Sequence, residues 1–222
     1  MKNTGVAKKS ARKPVEVLTV EEVELILATT RKHRPDYYHL FLTAFRAGLR
    51  LGEILALKWS NVDWIKGQLV IEHSWRNSVL TKTKTGKIRF VDMSNQLQQE
   101  LKTLLHQRKI EAVKNGRSEP VSIIFHDKAG NYLSQNSTRN IWARMLNKTE
   151  LPHKKFHITR HTFASILLAQ NTPILYVSKT MGQSSIQMTV DIYGHLMPDL
   201  DKSAINVLDQ SGTPMAPQKK TP

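Results

Sequence analysis

The chain has 222 residues, 40% of them hydrophobic, enough to bury one sizeable core but a tight fit for two full domains. Its 33 Lys and Arg against 18 Asp and Glu give a formal net charge of +15 and a pI near 10.1, far beyond what keeps a protein in solution, so a polyanion is the expected partner. No apolar run reaches the roughly 18–20 residues of a spanning helix, Met1 is followed by polar residues rather than a signal peptide, and the lack of cysteine excludes disulfides and thiolate metal sites. Nucleic acid is therefore preferred to a lipid surface, and a reducing cytoplasm is compatible.

Residues 1–17 carry Lys2, Lys8, Lys9, Arg12 and Lys13 before the first acid, Glu16, with almost no apolar periodicity, and read as a flexible basic arm or linker. At "LTVEEVELIL" the pattern changes: Thr19 and Glu22 form a capping box, and Val20, Val23, Ile26 and Leu27 form the apolar stripe of a helix. A second helix, "DYYHLFLTAFRAGL", runs to about Gly48, and a third, "LGEILALKW", follows almost at once with Arg50 at the corner. "SNVDWIKGQLVIEHSW" and "VLTKTKTGKIRFVDM" are rich in β-branched and aromatic residues, with turn signals at Lys66-Gly67 and Thr85-Gly86. They predict a small antiparallel sheet of about three strands. A long helix follows over "SNQLQQELKTLLHQRKIEAVK", with further helices over about 134–147, 158–169, 173–181 and 185–195. Beyond Pro198 the chain is polar and is expected to be disordered unless a partner orders it.

Three stretches suggest chemistry. In "LPHKKFHITRHTFAS", His153, His157 and His161 are spaced by four, which raises a metal site, but the acid that such a site would prefer is absent. His157 with Arg160, three residues on, suits a phosphate instead: the guanidinium fork grips two oxygens while the imidazole donates a hydrogen bond or moves a proton. A solvated basic face is the plainer alternative. The corner "RAGLRLGE" offers Arg46, Arg50 and Glu53, with Glu53 placed either to hold Arg50 in one rotamer or to make an ordinary helix salt bridge. In "TKTKTGKIRF", read as a hairpin, Lys82 and Lys84 share one strand face and Lys87 lies beyond the turn. Such a lysine reaches into a groove, protonates a leaving oxygen or simply stays wet. Tyr193 lies seven residues after Ile186 and three after Val190, on a stripe whose default reading is core.

The order of these elements along the chain resembles the catalytic domain of the tyrosine recombinase (phage integrase) family. Arg50 in "GLRLGE", a lysine in "KTKTGK", then "HITRHTFAS" and "MGQSSIQMTVDIYGHL" carry that resemblance over about residues 18–197. It implies a mainly α domain with a small antiparallel β-sheet (α+β), double-stranded DNA as partner, tetramers on paired DNA sites and no metal, ATP or other cofactor. It further implies a bacterial cytoplasmic setting and a role in integrating or excising a mobile element. By the same resemblance Tyr193 attacks the scissile phosphate to form a 3′-phosphotyrosyl bond. Arg50 and Arg160 clamp the non-bridging oxygens, His157 assists proton transfer, Lys84 protonates the leaving 5′-oxygen with Lys82 in reserve, and Glu53 orients the arginine corner. Arg46, Lys82, Lys87 and His161 are then expected to contact DNA.

Two departures from the family pattern follow. Where the family usually has His, less often Trp, ahead of the tyrosine helix, "MGQSS" gives Gln183, whose amide can donate a hydrogen bond to phosphate but cannot shuttle a proton; slower cleavage rather than none is expected. The 17 residues before Leu18 are too few for the N-terminal core-binding domain of family integrases, so a catalytic domain with 198–222 as a C-terminal tail is the expected organisation. A DNA-binding fragment with weak or no turnover is the rival reading.

Overall fold

The computed structural model describes residues 15–83, 86–183 and 185–193. Lys84, most of the basic arm and the C-terminal tail lie outside them. Among the described residues eight α-helices carry the fold: α1 (Val20–His33), α2 (Pro35–Ala47), α3 (Leu51–Leu55), α4 (Asn95–Lys114), α5 (Gln135–Lys148), α6 (Ile158–Ala169), α7 (Ile174–Met181) and α8 (Ile186–Tyr193). The architecture is mainly α with small antiparallel sheets, as the sequence predicts.

The capping box opens α1 as expected: the Thr19 hydroxyl accepts the Glu22 N–H at 3.2 Å, and the Glu22 carboxylate accepts the Thr19 N–H at 2.8 Å. Helix α2 starts with Pro35, whose missing N–H costs nothing in the first turn, and buries Leu40, Phe41, Leu42, Ala44 and Phe45 on nearly all sides. It is the central rod of the core. Trp142 of α5 packs edge-on against Phe41 (5.4 Å) and Phe156 (5.5 Å) and donates its indole N–H to the Lys154 carbonyl at 2.7 Å. That contact fixes the basic loop 150–157 against the core. A second, smaller cluster of Phe163, Ala164, Leu168, Val177, Met181 and Tyr193 holds α6, α7 and α8 together.

The third helix is shorter than the sequence suggests. It stops at Leu55, and a 3₁₀ turn over Trp59–Asn61 takes the chain into the sheet region. The sheet itself also departs from expectation. Strands β1 (Val62–Asp63), β2 (Gln68–Ile71) and β5 (Arg89–Asp92) form one sheet, and β3 (His73–Arg76) pairs only with β4 (Val79–Lys82) in a second. The turn at Gly67 joins β1 and β2 as predicted, but no hairpin pairs β4 with β5. Ile71 faces Arg89 and His73 faces Lys82, so β5 and β4 both pair with one continuous run, Gln68–Arg76, and between them the Thr83 N–H donates to the Glu72 carbonyl at 3.1 Å. The reversal lies instead at Asn77 and Ser78, both with positive φ (49° and 58°), the pair of conformations a two-residue hairpin loop requires. Asn-Ser is a weaker signal than Thr-Gly, and the burial of Leu69, Ile71 and Val91 on one face fixes the register.

Candidate active site

Arg50 precedes α3, and Glu53, buried to 2% exposure, turns back onto it: the carboxylate accepts the Arg50 N–H (2.9 Å) and its guanidinium (3.0 Å). A second arginine, Arg89 of β5, grips the same carboxylate with both terminal nitrogens at 3.1 and 2.7 Å, while its Nε donates to the Thr180 carbonyl at 2.9 Å. Burial alone would raise the Glu53 pKa, but the hydrogen bonds and charges of Arg89 and Arg50 outweigh it and hold the group ionised below its ordinary value. The Arg50–Glu53 pair is therefore no exposed helix salt bridge. Arg50 also donates to the Gly182 carbonyl at 3.3 Å, reaching across 132 positions of sequence.

Arg160 sits within the same corner at 3% exposure and donates to the carbonyls of Gly48 (2.8 Å) and Met181 (2.6 Å). Those are the C-terminal ends of α2 and α7, where the helix dipoles are negative and a cation is favoured. Both helices end in left-handed glycines, Gly48 (φ 60°) and Gly182 (φ 61°). A Cβ at Gly48 would sit 2.2 Å from the Phe163 ring, and one at Gly182 would sit 2.9 Å from the Arg89 side chain. Burial, with Arg50 and Arg89 close by, lowers the Arg160 pKa to about 9 even though Glu53 opposes the shift. Two guanidiniums thus grip one carboxylate with a third close by, and the corner carries an excess positive charge that an anion would relieve.

His157 caps α6 at the mouth of this corner. Loss of water around its ring, then His161, Arg160 and Arg50, lower its pKa to about 4, so it is neutral at physiological pH. Its ring meets that of His161 edge-on at 4.8 Å. His161, one turn further along α6, faces Tyr193: Nδ1 and the phenol oxygen are 2.6 Å apart. Tyr193 has no exposed surface, and desolvation raises its pKa to about 12, with Arg160 pulling the other way. Gln183 lies on the short connection between α7 and α8, its side-chain oxygen accepting the buried Thr189 hydroxyl at 2.6 Å.

Outside the corner lies an open cleft of about 790 Å³. Its lining includes Arg50, Arg76, Lys82, Arg139, Lys154, Lys155 and His157, with Glu53 as its single acid. Arg139 is held by Gln135 (2.9 Å) and Asn136 (3.1 Å) on the first turn of α5. The width and charge suit a polyanion laid across the surface.

Sequence reasoning brought together Arg50, Glu53, His157, Arg160, Gln183 and Tyr193, and the fold assembles these six around one corner. Two expected contact residues stand elsewhere. Arg46 donates to Gln96 (2.9 Å) and Glu24 (2.8 Å), stapling α2 to α1 and α4, and does not line the cleft. His161 turns inward to Tyr193 rather than toward the cleft. Lys82 lines the cleft, Lys87 is exposed and does not line it, and Lys84 lies outside the described residues. Arg89 was missed, although a signal existed: two before buried Val91, it takes the inward parity of its strand, where an arginine demands a carboxylate. Among the described residues no group of three or more His, Cys, Asp or Glu is placed to hold a metal ion, and no helix is long and apolar enough to cross a membrane.

Comparison with known proteins places this geometry. The chain is 27% identical over 223 residues to a XerC-like tyrosine recombinase of Caldanaerobacter subterraneus subsp. tengcongensis, covering 92% of this chain and 56% of that protein. It is 28% identical over 208 residues to the ICEBs1 integrase of Bacillus subtilis, covering 89% and 55%. The chain therefore spans little more than half the length of these relatives. Among solved structures, the Tn1549 transposon integrase in complex with a circular intermediate DNA superposes with a TM-score of 0.71 at 17% identity, over 90% of this chain and 66% of that one. The catalytic domain of bacteriophage HP1 integrase superposes with a TM-score of 0.62 at 22% identity, over 86% of this chain and 94% of that one. At such identities the structural likeness speaks for the fold; the family follows from the sequence, because residues 16–199 match the phage integrase family, to which this chain belongs.

Proposed function

We propose that the chain is the catalytic portion of a site-specific DNA recombinase that integrates or excises a mobile element, acting in the bacterial cytoplasm on double-stranded DNA. The observation that carries the proposal is the overcharged corner: Arg50, Arg89 and Arg160 around the single carboxylate of Glu53, with the Tyr193 hydroxyl one histidine behind it.

A phosphodiester entering the corner supplies the missing negative charge. Arg50 and Arg160 meet its non-bridging oxygens, where charge gathers in the transition state, and such donors are worth about 3–4 kcal/mol each. The Tyr193 oxygen attacks phosphorus, the bond from phosphorus to the 5′-oxygen breaks, and Lys84 delivers a proton to that oxygen. The 3′-phosphotyrosyl bond conserves the energy of the broken one, so a partner strand's 5′-hydroxyl reverses the step without ATP. Neutral His157 supports the phosphate or relays a proton, and Gln183 donates a hydrogen bond where most relatives place an imidazole. Exchange of strands between two sites calls for four such active sites, hence a tetramer on paired DNA.

A pool of nicked duplexes with a randomised centre traps the covalent intermediate, because the released fragment diffuses away. Wild-type protein is expected to give a denaturation-resistant protein–DNA adduct, and Tyr193→Phe none. Absence of any wild-type adduct would refute the proposal. One observation favours a second reading, a DNA-binding module without turnover: Tyr193 is wholly buried with its hydroxyl already satisfied. Salt-sensitive retention of the same duplexes without any adduct would select it.

A further inference from the structure

We propose that His161 is a catalytic residue, the base that takes the phenol proton from Tyr193 as the tyrosine attacks. The inference rests on Tyr193 being the nucleophile, and it assigns a role that neither the cleft nor the sequence spacing suggested for this histidine.

The geometry is specific. His161 Nδ1 stands 2.6 Å from the Tyr193 oxygen, within the 2.6–3.2 Å reach of a general base, and the two rings lie 5.8 Å apart. His157, which lines the cleft, makes no hydrogen bond to Tyr193; its ring meets that of His161 at right angles, 4.8 Å between centroids. Two histidines one turn apart on α6 therefore divide between two tasks, one at the cleft and one at the nucleophile.

A base is needed because a buried phenol holds its proton tightly, and the surroundings keep His161 able to accept one. Its pKa is lowered by desolvation and then by Arg160, so the ring is neutral before the reaction. With the ring proton on Nε2, Nδ1 offers its lone pair to the phenol. The charged and titratable groups facing His161 are Arg160 on its own helix, His157 at that helix's N-cap, Tyr193 on α8, and Glu16, His153, Lys154 and Lys155 around a shallow hollow of about 430 Å³ that His161 also lines. That hollow gives the proton an exit to water.

The step balances as follows. The Tyr193 O–H bond breaks as its oxygen bonds phosphorus; the proton goes to His161 Nδ1, making an imidazolium. The electron pair of the bond from phosphorus to the 5′-oxygen leaves with that oxygen, which is protonated from Lys84. Imidazolium beside Arg160 is disfavoured, so its proton is passed to water through the hollow and recovered on rejoining.

The test separates the two ends of the reaction. A sequence recovered from the wild-type adduct is rebuilt as a nicked duplex, once with the normal 5′-oxygen at the scissile bond and once with sulfur there. A thiolate leaves without a proton, so a defect in the leaving-group acid is rescued and a defect in the base is not. His161→Ala is expected to slow single-turnover cleavage about 100-fold or more on both substrates, and Lys84→Ala only on the oxygen substrate. His161→Asn keeps an acceptor near Nδ1 but takes no proton, and is expected to be as slow as His161→Ala. In both His161 variants the residual rate should climb with pH beyond the range where wild type levels off.

Wild-type cleavage with His161→Ala within about threefold of it, or His161→Asn at the wild-type rate, overturns the inference while leaving the nucleophile intact. No wild-type adduct at all overturns both. Should His161→Ala melt early, ¹⁵N spectra of the wild-type imidazoles decide independently of activity: His161 is expected as the Nε2–H tautomer with an Nδ1 signal that moves in Tyr193→Phe, and an Nδ1–H signal overturns the proposal.

Discussion

Arg89 and Arg50 clamp the carboxylate of Glu53 from two sides, one reaching in from a strand and the other from a helix start, with four hydrogen bonds at 2.7–3.1 Å between them. Only Arg50 lines the cleft. Arg89, 11% exposed at its side chain, faces inward and ties β5 to the end of α7 through Thr180. Its removal leaves a buried carboxylate with a single partner, so Arg89→Ala is expected to destabilise the domain by about 3–5 kcal/mol in urea unfolding. Arg89→Lys should recover part of that loss but not the two-pronged grip.

The same carboxylate sets an acid limit. Because the folded state holds the Glu53 pKa below its ordinary 4.5, its contribution to stability is complete above that value and is lost as pH falls through the lower folded one. Urea midpoints measured from neutral pH down to about pH 3 should therefore fall less steeply for Glu53→Gln than for wild type, from a lower starting point.

Gly182 stands between the arginine clamp and the tyrosine helix. A methyl group there meets Arg89 at 2.9 Å and strains a backbone already at φ 61°, so Gly182→Ala is expected to cost about 1–3 kcal/mol. Cleavage should suffer more than stability, because the side chain it displaces positions Glu53 and thereby Arg50. Comparing single-turnover rates below the melting temperature of both proteins checks this.

Gln183→His is expected to raise single-turnover cleavage by about tenfold or more, since an imidazole moves a proton and an amide does not. The change also removes the acceptor of the buried Thr189 hydroxyl, so Gln183→His with Thr189→Val should be the more stable of the two variants. A rate no higher than wild type in both would show that the glutamine is no handicap.

Arg76 and Arg139 line the cleft, and Arg46 does not. Replacing Arg76 or Arg139 by Ala should flatten the fall of log affinity with log salt by about 0.9 each, the signature of one lost phosphate contact. Arg46→Ala should leave that slope unchanged and lower the melting temperature instead, which titrations of duplex DNA at several salt concentrations would resolve.

Much of this was legible before the structure. The helices over 20–33, 35–47, 95–114 and 158–193 follow from stripes, caps and terminal glycines, which are local signals. Type and spacing single out Arg50, His157 and Arg160 only as candidates, and it is the resemblance that gives them roles. What escaped was non-local. The pairing of β4 and β5 with the run Gln68–Arg76 depends on which face buries Leu69 and Val91, so β4 and β5 do not form the hairpin that Thr-Gly suggests. Arg89 acquires its meaning only from a carboxylate 36 positions earlier, and His161 only from a phenol 32 positions later. Conversely Arg46, read as a DNA contact because it sits beside Arg50 in sequence, points the other way around α2. Neighbours in sequence diverged, and partners far apart converged.

The apolar interior is divided unequally, and the division has an energetic meaning for Tyr193. Arg160, Arg50 and Arg89 are braced by the large core and by two helix ends, whereas α8 is held by a six-residue cluster to which it contributes Tyr193 as its one fully buried hydrophobic anchor. Lifting one such aromatic side chain into water costs roughly 1.5–3 kcal/mol, far less than unfolding a domain. A population of about one molecule in a hundred would then already present a free phenol, at about 2.7 kcal/mol by the relation between free energy and population. On the proposed function, the arginine corner that would meet the phosphate is the firmly braced part of the site, and the phenol is the lightly fastened one.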